Sequence, residues 1–118
     1  SALPPELIRK GRFDELFFVD LPDLMARQEI FRIHLEKRNH TGVNFDLVLL
    51  SEKTEGFSGA EIEQAIVASL YAAHYQDSSL TTEMILDEIS QTKPLSVVMA
   101  EKISALRAWA DERAVKAN

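Results

Sequence analysis

The 118-residue sequence contains no cysteine. This absence excludes a disulfide framework and any metal site built from thiolates, and it fits a reducing compartment. The sequence also lacks an apolar run of the roughly 18 residues that a membrane-spanning helix needs, and it shows no signal-peptide pattern. We therefore predict no membrane partner for this part of the protein.

Positive charge is also scarce. Thirteen lysines and arginines stand against 19 aspartates and glutamates, which gives a formal net charge of −6. A nucleic-acid-binding domain presents a basic face, so no nucleic acid partner is predicted. The apolar content of 46% can supply a core, and the length allows one domain or part of a larger one. Because the chain opens at Ser1 rather than methionine, we expect its natural start to lie upstream.

Two arginines near the beginning, Arg9 and Arg12, flank Gly11 and precede the apolar run Leu16 to Val19. The run is too short for a helix and rich in aromatic residues, so it predicts a strand. A lone strand is marginal, which indicates that its sheet partners belong to a larger fold. An isolated arginine pair most often forms solvated or structural charges. The functional alternative is a phosphate clamp, because the planar guanidinium fork matches phosphate oxygens.

The rest of the sequence has the apolar period of amphipathic helices. A capping-box pair, Ser58 and Glu61, predicts the start of one of them. Short loops separate five predicted helices, which run from about Asp23 to Lys37, Asp46 to Lys53, Ser58 to Tyr75, Thr82 to Thr92, and from Pro94 to a frayed C-terminal end. The predicted fold class is therefore mainly α, a helical bundle with one short N-terminal strand.

Candidate binding residues lie on two of these helices. His34 follows Ile30 by one turn on the first helix, where an isolated histidine is most often a partly buried residue with satisfied hydrogen bonds. The three histidines are not spaced to share a metal, and no metal site is predicted. Gly59 and Ala60 open the third helix, which needs no explanation beyond a cap. They would also leave the backbone open to a planar ligand at a helix N-terminus, which favours anionic groups.

Three stretches together resemble the classical AAA family of ATPases. Leu-Pro-Pro-Glu-Leu-Ile-Arg-Lys-Gly-Arg-Phe-Asp, residues 3 to 14, resembles the end of that family's second region of homology. Residues 22 to 34 resemble the segment that follows it, and residues 54 to 63 resemble the Gly-x-x-Gly-Ala-Asp/Glu signature. The motifs stand in the family order. The tail through Trp109 resembles a branch of AAA proteins found in cyanobacteria, plastids and other bacteria.

The resemblance implies that Arg9 and Arg12 are the two arginine fingers, catalytic residues that reach the γ-phosphate of ATP bound by a neighbouring subunit. Lys10 stands where the family often has proline, and no sensor arginine follows Gly59. The phosphate loop and the acidic metal-binding strand lie upstream of this stretch in the family and are absent here. The chain therefore resembles the C-terminal end of such an ATPase, with residues 1–22 as a remnant of the α/β core and residues 23–118 as the helical lid.

The resemblance also implies a nucleotide contact. Ile30 and His34 match positions that flank the adenine ring, and Gly59 and Ala60 match a backbone pair that packs on adenine and ribose. We expect these four residues to converge on one cleft.

The expected function is that of the lid end of a ring-forming AAA remodelling ATPase, which uses ATP with magnesium. The chain alone should bind no cofactor and should not hydrolyse ATP. Its expected partners are neighbouring subunits of a homo-oligomer, a hexamer in the longer protein, and a protein substrate. The expected location is the cytoplasm, or the plastid stroma if the gene is plastid-encoded. Two alternatives stay open: a helical adaptor that binds proteins, and a nucleotide-gated switch without productive turnover.

Overall fold

A computed structural model describes residues 21–116 of the chain, with side chains up to residue 113. This part contains five α-helices and no strand: α1 (Leu24–Lys37), α2 (Leu47–Glu52), α3 (Gly59–Tyr75), α4 (Thr82–Ser90) and α5 (Leu95–Lys116). A 3₁₀ turn, Gly42–Asn44, lies between α1 and α2. The mainly α class is confirmed, and all five predicted helices are present. The strand predicted at residues 16–19 lies outside the described residues.

The helices begin where the local sequence supplies caps. The capping box predicted before α3 is present: Ser58 Oγ accepts from the Glu61 N–H at 3.2 Å, and Glu61 Oε1 accepts from the Ser58 N–H at 2.9 Å. Each such cap satisfies N–H groups that a first turn leaves without a helical partner. The side chains of three further residues accept a first-turn N–H in the same way, Asp23 before α1, Asp46 before α2 and Thr81 before α4.

Residues 21–94 form one compact unit, in which α3 packs against α1 and α4, and α1 also packs against α2. Burying this apolar surface is the main force that holds the helices together. The core of the unit consists of Phe31, Leu35, Leu50, Phe57, Ile62, Ala65, Ile66, Leu80, Ile85 and Ile89.

The short helix α2 is buried differently from the prediction. Its pattern predicts that Leu47, Leu49 and Leu50 face inward, but among them only Leu50 is fully buried. Ser51 and Thr54 are also fully buried. Helix geometry explains the difference. Leu47 and Leu50 are three positions apart and share a face, on which Leu47 packs partly buried against the core, whereas Leu49 lies on another side of the helix.

The last helix, α5, is described by itself. Arg113 stacks over the ring of Trp109, with the guanidinium carbon 5.0 Å from the ring centroid. Trp109 remains 57% exposed, whereas Ile103 is buried. The predicted apolar stripe of this helix is therefore buried at Ile103 and open to solvent at Trp109. Among the described helices, none has the length and apolar character needed to cross a membrane.

Candidate functional site

The structure describes four of the six predicted site residues. Arg9 and Arg12 lie outside the described residues. Ile30 and Gly59 are brought together: a Cβ atom built on Gly59 would lie 3.7 Å from Ile30 Cδ1. That distance is an ordinary van der Waals contact, so the second turn of α1 packs directly on the first residue of α3. Ala60, the next residue of α3, is exposed.

His34 lies one turn beyond Ile30 on α1 and meets α3 at Glu63, one turn beyond Gly59. Its Nδ1 atom is 3.7 Å from Glu63 Oε2, and its side chain is 21% exposed. His34 is therefore a partly buried histidine with polar partners, which fits the plain structural interpretation and leaves its ring partly open. Ile30, His34 and the start of α3 therefore follow one line along the junction of α1 and α3.

A second charged residue, Arg38, completes the cluster around His34. Arg38 Nη2 donates to Glu63 Oε2 at 2.8 Å, and Nη1 lies 3.3 Å from His34 Nδ1. The hydrogen bond from Arg38 is the largest influence that holds the pKa of the Glu63 carboxyl below its ordinary value, and the positive charges of Arg38 and Lys37 lower it further. Glu63 is therefore a carboxylate at neutral pH.

Sequence reasoning did not single out Arg38 or Glu63. The available signal was the spacing: Arg38 follows His34 by four residues, and Glu63 follows Gly59 by four, so each pair shares a helix face. The spacing does not predict that α1 packs on α3. This packing brings Arg38 and Glu63, 25 positions apart, into contact.

The start of α3 can accept an anionic or polar group. Ser58 Oγ satisfies the Glu61 N–H, while the N–H groups of Gly59 and Ala60 belong to the first turn, which has no preceding helical carbonyl to offer them. The macrodipole of α3, a helix of 17 residues, also places a partial positive charge at its N-terminal end. The side chain of Ile30 lies beside this end of α3, and His34 lies one turn further along the junction.

Comparison with known proteins places the middle of this structure in a family. The model of the AAA+ lid domain matches residues 44–88, which cover α2, α3 and most of α4. The chain contains an AAA+ lid domain. The predicted resemblance to AAA proteins is thereby confirmed, and helix α1 lies directly upstream of the matched segment of the lid.

Curated relatives extend the match beyond the lid segment. An AAA domain-containing protein ycf46 of Gracilaria tenuistipitata var. liui is 46% identical over 110 residues, 92% of this chain and 22% of the relative. The ycf46 protein of Pyropia yezoensis is 45% identical over 113 residues, 95% of this chain and 23% of the relative. A proteasome-activating nucleotidase of Saccharolobus solfataricus is 49% identical over 73 residues, 62% of this chain and 18% of the relative.

The chain thus spans about a fifth to a quarter of the length of these relatives. No solved structure gives a significant match to it.

Two surface cavities of the lid lie away from the four predicted contacts. The larger, about 460 Å³, is lined in part by His40, Phe45, Leu70 and His74, and the rings of His40 and Phe45 meet edge to face at 6.0 Å. The smaller, about 300 Å³, is lined by Arg38, Val67, Leu70, Tyr71 and His74. None of the four predicted contacts lines either cavity, so these two cavities do not supply the single cleft on which the four residues are expected to converge.

A magnesium site is not visible in the described part of the lid, where no three histidine or acidic side chains are grouped to hold a metal ion.

Proposed function

We propose that this chain is the lid-bearing end of an AAA+ ATPase and that Ile30, His34, Gly59 and Ala60 contact the adenine and ribose of bound ATP. The observation that carries the proposal is the direct packing of Ile30 on Gly59 across α1 and α3. This contact brings together residues of two sequence motifs that are 29 positions apart along the chain. The AAA+ lid match over residues 44–88 supports the same assignment.

The proposal assigns a different task to the N-terminal arginines. Arg9 and Arg12 would act on the γ-phosphate of ATP held by the next subunit of a homo-oligomeric ring, a hexamer. An arginine supplied in this way stabilises the charge that develops during phosphoryl transfer and raises the rate by roughly 10³–10⁵. Magnesium-ATP supplies the transferred phosphoryl group. The chain has no phosphate loop of its own, so turnover is proposed for a longer protein that carries it.

The wider role follows from the relatives. One of them is named a proteasome-activating nucleotidase, and we propose that the longer protein likewise acts on a protein substrate. Its proposed location is the cytoplasm, or the plastid stroma if the gene is plastid-encoded.

Replacing Gly59 with valine tests the nucleotide contact. A Cβ atom fits beside Ile30, but the two added methyl groups would cover the surface on which the base is proposed to pack. We expect ADP to bind about ten-fold more weakly to the full-length protein, which corresponds to about 1.4 kcal/mol. Fluorescence titration with a labelled ADP measures the affinity. The control is Gln64→Val, at an exposed position of the same helix. Equal affinities of the two variants would reject the contact.

The arginine fingers need a separate test in the full-length protein. Arg9→Ala and Arg12→Ala should each lower ATP turnover by about 10³-fold or more, while the affinity for ADP in the subunit's own site stays close to that of the unaltered protein. Phosphate release and ADP titration report the two quantities. Loss of ADP affinity would mean that these arginines are structural or act within their own subunit, and unchanged turnover would exclude the finger role.

A helical adaptor is the second candidate. The observation in its favour is the exposure of two tyrosines on α3, Tyr71 at 71%, which lines the smaller cavity, and Tyr75 at 92%. An adaptor would not need the contacts proposed for Ile30, His34, Gly59 and Ala60. Unchanged ADP affinity in both Gly59→Val and His34→Ala would favour the adaptor over the ATPase lid.

A further inference from the structure

We propose that Arg38 is a positioning residue that holds His34 in the tautomer with its proton on Nε2, and that Glu63 fixes Arg38 for this task. The inference rests on the proposed contact between His34 and the nucleotide. It adds two residues, Arg38 and Glu63, to the nucleotide surface and gives each a role distinct from touching the ligand.

The geometry around Nδ1 carries the first step. Arg38 Nη1 lies 3.3 Å from His34 Nδ1 and donates to the His34 carbonyl oxygen at 3.2 Å. A guanidinium has only donors, so a hydrogen bond from it requires Nδ1 to be the acceptor. The proton of the neutral imidazole must then reside on Nε2. In histidine sites generally, the partner of one ring nitrogen decides the protonation of the other.

Glu63 supports this arrangement through Arg38 and does not compete for His34. Its Oε2 atom accepts from Arg38 Nη2 at 2.8 Å but is 3.7 Å from His34 Nδ1, beyond hydrogen-bond distance. Both terminal nitrogens of the guanidinium are thus engaged: Nη2 donates to Glu63 of α3, and Nη1 faces His34. The side chain of Arg38 is 24% exposed and that of Glu63 is 38% exposed, so solvent reaches the pair only in part.

The consequence concerns the remaining nitrogen of the ring. With Nδ1 held by Arg38, Nε2–H is the donor that His34 has left to offer. A ribose hydroxyl oxygen or an adenine ring nitrogen can accept it. The opposite tautomer would present a lone pair at Nε2 and could not donate to either acceptor. Because a ribose hydroxyl or the adenine amino group can donate to that lone pair, the tautomer decides whether His34 donates to the nucleotide or accepts from it.

Nitrogen-15 NMR of the His34 side chain in the 118-residue chain tests the tautomer without any nucleotide. At neutral pH we expect Nε2 to carry the proton and Nδ1 to show the shift of an unprotonated ring nitrogen. Arg38→Met keeps the apolar stem and removes all donors, so the His34 signals should move toward a mixture of tautomers. The matched control is Arg32→Met, on the same helix, since Arg32 also pairs with two glutamates, Glu29 and Glu36.

A proton on Nδ1 in the unaltered protein, or unchanged His34 signals in Arg38→Met, would overturn the proposal. Glu63→Gln supplies a second variant in case Arg38→Met unfolds. It keeps an acceptor for Arg38 but removes the charge, so it should produce a smaller shift in the same direction. Circular dichroism of each variant verifies that the helices persist.

Titration of the full-length protein with labelled ADP links the tautomer to binding. Arg38→Met should weaken ADP affinity about two-fold, the factor expected when only about half of the imidazole carries its proton on Nε2, and Arg32→Met should not. If His34→Ala weakens ADP binding and Arg38→Met does not, the positioning role is wrong and the proposed function stands. If His34→Ala has no effect, the proposed nucleotide contact at His34 fails as well.

Discussion

Among single residues, Arg27 is the most deeply buried charged residue in the unit of residues 21–94. It is only 6% exposed. Its Nε donates to the Ser51 carbonyl oxygen at 3.0 Å, and its Nη1 donates to the Pro22 carbonyl oxygen at 2.9 Å. A buried guanidinium is tolerated when its donors are satisfied. Arg27 thereby ties the residues that precede α1 to the C-terminal end of α2.

Replacing Arg27 with methionine should destabilise the protein. The stem is kept, but two charge-assisted hydrogen bonds are lost and two carbonyl groups lose a donor, which costs about 2–3 kcal/mol of unfolding free energy. Urea denaturation followed by circular dichroism measures the change. The control is Arg32→Met, whose ion pairs with Glu29 and Glu36 lie on the exposed surface of α1, and it should change stability little. A loss no larger than that of the control would show that Arg27 is not structural.

The sequence allows part of this role to be predicted. Arg27 stands four residues before Phe31, which is fully buried, and so shares the inner face of α1. That spacing alone could suggest a buried arginine. Its partner at Ser51 could not be predicted, because the two residues are 24 positions apart and meet only once α1 and α2 have packed.

At the scale of helices, α1 and α3 end in the same manner at residues that are not glycine. Asn39 follows α1 with a φ of 67°, and Asp77 follows α3 with a φ of 54°. In each case the next N–H reaches back across the last turn, from His40 to the Leu35 carbonyl and from Ser78 to the Ala73 carbonyl, both at 2.9 Å. This is the Schellman arrangement, in which the left-handed residue is usually glycine.

Replacing Asp77 with glycine should therefore stabilise the protein by about 0.5–1 kcal/mol, because glycine adopts a positive φ without a steric penalty. Removal of a negative charge from the C-terminal end of α3 acts in the same direction. Asp77→Asn separates the two causes, since it removes the charge and keeps the side chain. Thermal unfolding measures all three proteins. A melting temperature of the glycine variant at or below that of the asparagine variant would mean that backbone strain at Asp77 is negligible.

Local sequence signals predict helix starts better than helix ends in this chain. The caps at Asp23, Ser58 and Thr81 are single polar residues directly before apolar periods, and the structure has all three. Asparagine and aspartate are equally common in ordinary turns, so the sequence gives no specific signal that Asn39 and Asp77 adopt the left-handed conformation. The contact of α1 with α3 at Ile30 and Gly59 came from family resemblance, because nothing in the periodicity of either helix identifies its partner.

At the scale of the whole molecule, two ion pairs contribute a small pH dependence to stability, since solvent screens Glu29 and Glu63, which are 55% and 38% exposed. The Arg32 hydrogen bond is the main cause that lowers the pKa of Glu29, and the Arg38 hydrogen bond is the main cause that lowers the pKa of Glu63. A carboxyl whose pKa is lower in the folded chain binds fewer protons there than in the unfolded chain. Both pairs therefore favour the folded state above the ordinary glutamate pKa of 4.5, and that preference is lost as the pH falls through the lowered values.

The acid side of the stability profile should accordingly become flatter when these pairs are removed. Glu63→Gln and Arg38→Met should reduce the fall in urea midpoint between pH 6 and pH 3 by similar amounts, because each removes one member of the same pair. Glu29→Gln should reduce it independently, and combining it with Glu63→Gln should add the two effects, since the pairs share no residue. Urea titrations at intervals of half a pH unit measure the profile. If the urea midpoint of the double variant falls between pH 6 and pH 3 as much as that of the unaltered protein, other groups cause the acid dependence.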